Sequence, residues 1–192
     1  MASNESIGLY IHIPFCKVKC VYCDFYSITK REKQIPLFTE CLLKEIDRYK
    51  HYAGQWEFNT IFFGGGTPSI MEPQWLIKIL HALDSAFDIS SVIEITLEAN
   101  PGSKDAAAYG ALHALGFNRI SIGAQSFVDD SLKRLGRIHT ADDVRRAFAS
   151  ARDAGFDNIN LDLMFSVPGI DGDSWHRSIE SVIALQPEHI ST

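Results

Sequence analysis

The sequence is short of several things, and each shortage narrows its function. It has no apolar run near the roughly 20 residues that a helix needs to cross a bilayer, which argues against a transmembrane protein. It has no low-complexity tract or linker, so one continuous domain is expected. Its first dozen residues, MASNESIGLYIH, lack the basic start and long apolar stretch of a secretion signal. Positive charge is in deficit, with 18 Lys and Arg against 24 Asp and Glu and a formal net charge of −6. That balance argues against broad nucleic-acid binding. Cysteine is scarce too, at four residues. Three of the four crowd into GLYIHIPFCKVKCVYCDFYS as Cys16, Cys20 and Cys23. In a chain with no export signal, such a cluster favours metal ligation over a disulfide framework, and a reducing cytoplasm is the expected compartment.

What is present is a regular alternation. Short apolar runs lie at Leu9–Ile13, Thr60–Phe63, Ile93–Glu98, Arg119–Gly123 and Ile159–Phe165, separated by longer segments of helical period. This is the pattern of βαβ units and a parallel sheet. The runs are rich in Ile, Leu and Phe, as expected for strands buried on both faces. Phe38, Leu42, Ile46 and Tyr49 share one helical face, as do Leu76, Leu80, Leu83 and Phe87. Pro73 suits a first helical turn, and Thr140 with Asp143 suits a capping box. A faint internal echo links HALGFNRISIGAQ with RDAGFDNINLDLM. In each, a helix ends at the glycine (Gly116, Gly155) of a Gly-Phe pair that leads through Asn into a strand. The final residues, PEHIST, read as a strand beginning, so residues 1–192 are expected to be the N-terminal part of a longer protein. The fold expected is α/β: a partial (β/α)6 TIM-like barrel with parallel strands, outer helices and a break at the sixth strand. Active sites in that architecture gather at the C-terminal ends of the strands.

The polar residues fit that expectation. GGGTPS follows the second run, Glu98 ends the third, Gln125 follows the fourth, Asp162 lies in the fifth, and the cysteines follow the first. C-x3-C-x2-C is short enough for one loop to wrap a metal centre, and thiolate sulfur suits zinc or iron–sulfur. A structural zinc site closes with four protein ligands, yet no fourth ligand is near: Phe25 follows the motif, Cys41 lies on an expected helix and His12 on a strand. Two readings stay open here, a zinc clip with a remote ligand and a 4Fe–4S cluster with one iron open. His12 and His139 read as hydrogen-bonded residues, Cys41 as a partly buried helix residue, and Lys30–Lys33 as a solvated loop. No Gly-Lys-Ser/Thr follows the glycine run, which argues against a nucleotide P-loop.

The cysteine motif, with an aromatic residue (Tyr22) before its last cysteine, resembles that of the radical S-adenosylmethionine (SAM) enzymes. YIHIPFC, GGGTPS, LEANPG, RISIGAQSF, LGRIH and NLDLM together resemble, in order, the blocks of the oxygen-independent coproporphyrinogen III oxidase family and specifically its haem-chaperone branch. The resemblance implies a 4Fe–4S cluster held by Cys16, Cys20 and Cys23, with the fourth iron chelating the amino and carboxylate groups of SAM. One-electron cleavage of SAM would then give a 5′-deoxyadenosyl radical, chemistry that belongs to the cofactor. It implies Tyr10 on the SAM side of the first strand and Tyr22 beside the cluster loop. Gly65, Gly66 and Thr67 would line the methionine end, and Glu98 would accept from the ribose hydroxyls. Gln125, Arg137 and Asp162 match further SAM-site positions, Arg137 as a partner for a carboxylate of SAM or of a porphyrin propionate.

Two departures matter. Decarboxylating members continue to C-x3-C-x2-C-x-C, whereas this chain has Cys23-Asp24-Phe25, the haem-chaperone pattern. FSVPG has Ser166 where members commonly carry glycine. The leading expectation is therefore a SAM-binding, cluster-bearing haem chaperone that binds haem and delivers it to acceptor proteins. The second is an anaerobic decarboxylase acting on a porphyrinogen, and the third is a zinc-stabilised interaction domain. The implied partners are haem or a porphyrinogen, haem-acceptor proteins, and a one-electron donor such as flavodoxin or ferredoxin. Neither nucleic acid nor a transmembrane segment is expected.

Overall fold

A computed structural model describes residues 6–102 and 106–192. In chain order the strands are β1 (Ser6–Ile13), the two-residue β2 (Phe15–Cys16) and β3 (Ile28–Thr29), β4 (Glu57–Gly65), β5 (Glu94–Ala99), β6 (Arg119–Gln125), β7 (Ile159–Leu163) and β8 (His189–Ser191). The helices are α1 (Ile35–Tyr49), α2 (Pro73–Phe87), α3 (Ala106–Ala114), α4 (Asp129–Arg134), α5 (Ala141–Asp153) and α6 (Gly172–Leu185). Six strands form one parallel sheet in the order β1-β4-β5-β6-β7-β8, and β2 pairs with β3. Each new long strand docks beside the one before it. A sheet wound in one direction keeps its crossover helices on one side, which makes the wall of a (β/α) barrel, here open between β1 and β8.

Side-chain alternation sorts the two faces. Ile11 and Ile13, Ile61 and Phe63, Leu97 and Ala99, Ile120 and Ile122, and Ile159 and Leu161 point toward the helices. There they meet Leu76, Ile79 and Leu83 of α2 and Val144, Ala147 and Ala151 of α5 in one buried cluster. The Gly-Phe echo is a packing device. Phe117 and Phe156 are both fully buried; Phe117 packs edge-on against Phe63 and Phe156 edge-on against Tyr109. Burying one such ring stabilises the fold by about 1.5–3 kcal/mol. The glycine before each ring has φ near +96° and +98°, the left-handed turn expected at a helix end.

Helix starts follow the expected chemistry. Pro73 occupies the first turn of α2, and Thr140 caps α5 through a reciprocal box with Asp143. On α1 the buried residues are Ile35, Thr39 and Ile46, with Phe38 and Leu42 partly covered. Tyr49, expected on the buried face, is exposed because the helix ends there. Cys41 is exposed rather than partly buried.

The inner face corrects the expectation of strands buried in apolar surroundings on both sides. Glu94, Thr96 and Glu98 alternate with Ile95, Leu97 and Ala99 on β5; Ser121, Gly123 and Gln125 do so on β6, and Asn160 and Asp162 on β7. These polar residues bond across and along strands: Asn160 Nδ2 donates across to Ser121 Oγ at 2.9 Å and along β7 to Asp162 Oδ1 at 2.7 Å, and Ser191 Oγ donates across to Asn160 Oδ1 at 3.0 Å. An open wall leaves its concave side without a second apolar layer, so polar side chains line it.

Candidate cofactor site at the strand exits

The cysteine loop leaves β1 at Pro14 and is tied down at both ends. Phe15 and Cys16 pair with Ile28 and Thr29. Within the loop, the Cys23 N–H donates to Cys20 O at 3.2 Å, and Lys19 Nζ reaches Phe25 O at 2.6 Å and Ser27 Oγ at 3.0 Å. His12 Nε2 lies 2.9 Å from Tyr26 O. A carbonyl only accepts, so that nitrogen carries the proton and His12 Nδ1 accepts from the Tyr10 hydroxyl at 3.3 Å. His12 is therefore a brace for the loop.

The glycine turn at the exit of β4 presses directly on this loop. A Cβ on Gly66 would stand 2.7 Å from Phe15 O and 2.8 Å from the Pro14 carbonyl carbon. One on Gly65, whose φ is +114°, would meet the His12 ring at 2.6 Å. The close approach that needs glycine here is first to the chain itself. The N–H groups of the turn are all engaged: Gly65 to Glu98 Oε2 at 2.9 Å, Gly66 to Ile13 O and Thr67 to Phe15 O, both at 2.8 Å. What the turn can offer a ligand is therefore carbonyl oxygen, suited to an ammonium or sulfonium group.

A hydrogen-bond chain then links two of the cysteines. Thr67 Oγ1 donates to Cys16 Sγ at 3.6 Å and accepts from Asn100 Nδ2 at 2.7 Å. Asn100 Oδ1 accepts from Arg137 Nη2 at 2.6 Å, and Arg137 Nη1 donates to Cys20 Sγ at 3.4 Å. Arg137 also holds Gly123 O at 2.7 Å and contacts the Tyr22 hydroxyl at 3.5 Å. The hydroxyl of Thr67 and the guanidinium of Arg137 thus fix the positions of two of the three sulfurs.

At the exit of β6 the register shifts between Ile122 and Gln125, and Gln125 adopts φ +65°. Its carbonyl accepts from Met164 N at 2.9 Å, and His139 Nε2–H donates to Ala124 O at 3.1 Å. Burial and the Arg137 charge hold the His139 pKa down to about 4, so the ring is a neutral donor. Burial lifts Glu98 to about 7, with Asp162 adding to the rise and the Gly65 N–H opposing it. Burial also raises Asp162, against the pull of its Asn160 and Ser121 hydrogen bonds. Tyr22 is pushed up to about 12 by burial, with Cys20 and Cys23 adding to it and Arg137 working against it.

Every residue that the family resemblance assigned to the cluster or SAM site, except Tyr10, lines one cavity of about 350 Å³: the three cysteines, Tyr22, Gly65, Gly66, Thr67, Glu98, Gln125, Arg137 and Asp162. Tyr10 is 56 % exposed and lines a separate groove along the free edge of β1. It still feels Glu98, whose carboxylate charge adds to the burial that raises the tyrosine pKa. Asn100, Ser121 and Met164 join the cavity wall without having been singled out. Asn100 sits inside the LEANPG block, and only the contacts reveal its role.

The donor set fits an iron–sulfur cluster better than a lone zinc ion. Zinc thiolates converge at about 2.3 Å on one metal. Among the described residues no three His, Cys, Asp or Glu side chains gather that tightly. A cubane gives each thiolate its own iron, and the three cysteines face one cavity.

Comparison with known proteins agrees with this geometry. The family model of the radical SAM superfamily matches residues 10–182. The chain is 40 % identical to the heme chaperone HemW of Escherichia coli over 192 residues, all of this chain and 51 % of that protein. It is 38 % identical to HemW of Bacillus subtilis, over 95 % of this chain and 48 % of the relative. The mitochondrial radical S-adenosyl methionine domain-containing protein 1 of Bos taurus is 33 % identical over 98 % of this chain and 42 % of that protein. The chain thus spans about half the length of the curated relatives it matches. Among solved structures, coproporphyrinogen III oxidase (HemN) from Escherichia coli superimposes with a TM-score of 0.88 at 25 % identity, covering 98 % of this chain and 44 % of that one. The six-stranded parallel wall, the cysteine loop at its rim and these matches agree: the chain belongs to the radical SAM superfamily and, within it, resembles the HemW-type haem chaperones related to coproporphyrinogen III oxidase.

Proposed function

We propose that residues 1–192 act as the radical SAM core of a cytoplasmic haem chaperone, with a 4Fe–4S cluster on Cys16, Cys20 and Cys23 and SAM in the adjoining cavity. A reduced cluster with one open iron would supply one-electron chemistry at the SAM sulfonium. The chain's own residues bind and orient. Thr67 and Arg137 donate to the Cys16 and Cys20 sulfurs, and the turn at Gly65 and Gly66 presents carbonyl oxygens to the methionine end. Glu98 accepts from the ribose diol, and Gln125 and Asp162 close the far wall. Tyr22 shields the thiolates, its high pKa keeping the phenol neutral beside them.

The observation that carries this reading is the convergence of three cysteines, the glycine turn and Glu98 on one cavity. Similarity to HemW supports haem as cargo and haem-acceptor proteins as partners. The test is anaerobic reconstitution followed by iron, sulfide and visible-absorption analysis. About four irons per chain are expected, lost on Cys20→Ala, with SAM binding that depends on Glu98. A colourless protein with one tightly bound zinc would overturn it. The likeness to HemN favours a second reading, decarboxylation of coproporphyrinogen III. Vinyl product from that substrate would replace the chaperone assignment; haem transfer without turnover would sustain it.

A further inference from the structure

The loop that carries the three cysteines has the opposite charge to the rest of the chain. Residues 14–34 hold Lys17, Lys19, Lys30, Arg31 and Lys33 against Asp24 and Glu32, a surplus of three positive charges in a chain whose formal charge is −6. Tertiary structure concentrates them. Pairing of Cys16 with Thr29 sets Lys30 and Arg31 alongside Cys16 and Lys17, on the outer side of the candidate cluster loop.

These cations are available. Lys17, Lys30, Arg31 and Lys33 are all exposed, and none has an acidic partner among the described residues. Four other cations are neutralised nearby, Lys50 by Asp47, Lys133 by Asp130, Arg146 by Asp142 and Asp143, and Arg152 by Glu188, whereas the exposed Lys44, Arg48 and Lys78 have no ion-pair partner among the described residues but do not border the cysteine loop. Val21, Phe25 and Tyr26 project from the same loop and are more than two-thirds exposed. An apolar centre beside unpaired charge is the anatomy of a transient protein interface. A nucleic acid would call for a long cationic stripe instead.

We infer that this face docks an acidic one-electron carrier protein, with Lys30, Arg31 and Lys33 steering it onto the cysteine loop. The inference rests on the cluster reading above. The reduced carrier would supply one electron to a cluster held by Cys16, Cys20 and Cys23, with no bond or proton moving. Charge complementarity of this kind acts mainly on encounter rate and orientation.

The experiment titrates an acidic flavodoxin against the apo and the reconstituted protein by calorimetry at several salt concentrations. A charge-reversed variant, Lys30→Glu with Arg31→Glu and Lys33→Glu, is compared with an equal reversal at the exposed Lys44, Arg48 and Lys78. Binding should weaken roughly tenfold or more in the first variant, lose its salt dependence there, and stay near parental in the second. Reduction by dithionite, which needs no docking, should be the same in all three. Equal weakening in both variants, or unchanged flavodoxin binding in the first, would overturn the proposal. So would selective loss of binding to haemin or anionic vesicles with flavodoxin unaffected. Failure of the parent to assemble a cluster would instead strike the functional reading, while flavodoxin binding to the apo protein still decides the surface.

Discussion

Arg137 donates to Asn100 across 2.6 Å, and through that contact Cys16 and Cys20 belong to one hydrogen-bond chain running from Thr67 to the guanidinium. The two cysteines lie on one loop, whereas the groups that hold them come from the exits of β4 and β5 and from the loop after α4. The positions of the two sulfurs are therefore held by three other segments.

Asn100→Ala should loosen the cluster more than the fold. It removes the link between Thr67 and Arg137 and leaves both partly unpaired, at a cost of about 1–3 kcal/mol. Iron loss to a chelator after reconstitution should run several-fold faster than in the parent. A parental rate would show that the chain does not support the thiolates.

Glu98 gives the apo protein a pH signature. Its folded pKa, about 7, lies above its ordinary value of 4.5. The stability it contributes is thus fully present below about pH 4.5 and is lost as pH rises through about 7. Glu98→Gln should therefore stabilise the apo protein at pH 8 by about 1–2 kcal/mol and make no difference near pH 4, read as denaturation midpoints.

The same carboxylate should make nucleoside binding depend on pH. A ribose diol donates best to the ionised form, so affinity for SAM or adenosine should climb between about pH 6 and pH 8 and then level off. In Glu98→Gln the affinity should be weaker and flat across that range, as measured by equilibrium dialysis. A parallel climb in the variant would assign the titration to another group.

Gly66→Ala tests the contact between the glycine turn and the cysteine loop. Its new methyl would lie 2.7–2.9 Å from Phe15 O and the Pro14 carbonyl, backbone atoms that cannot swing aside. A loss of more than about 2 kcal/mol in urea unfolding is expected, accompanied by poor cluster uptake.

The Gly-Phe echo predicts matched costs. Phe117→Ala and Phe156→Ala should each lose about 3–5 kcal/mol, since both rings are fully buried between strand and helix. A small loss at either position would show that the two units pack differently.

Much of this molecule was legible in one dimension. The five apolar runs became strands, the capping box at Thr140 and the helix-ending Gly116 and Gly155 were found where local pattern put them, and all but one of the site residues share a cavity. The two-residue strands β2 and β3 were not legible, because two residues carry no period. The short α4 has too few turns to show a stripe. The polar inner face was present in β5, β6 and β7 as strict alternation, but it was masked by the expectation of strands buried on both faces.

The sequence by itself determined the order of strands and helices, the cysteine spacing and the presence of a polar residue at each strand exit, since these follow from local periodicity and turn chemistry. Only the tertiary structure decided that Asn100 bridges Thr67 and Arg137, that Gly66 is small for the sake of Pro14 and Phe15, and that Tyr10 stands outside the cavity. Those outcomes depend on strand register and on which exits meet across the rim. Register is fixed by packing between segments far apart in the chain, and no single segment records it.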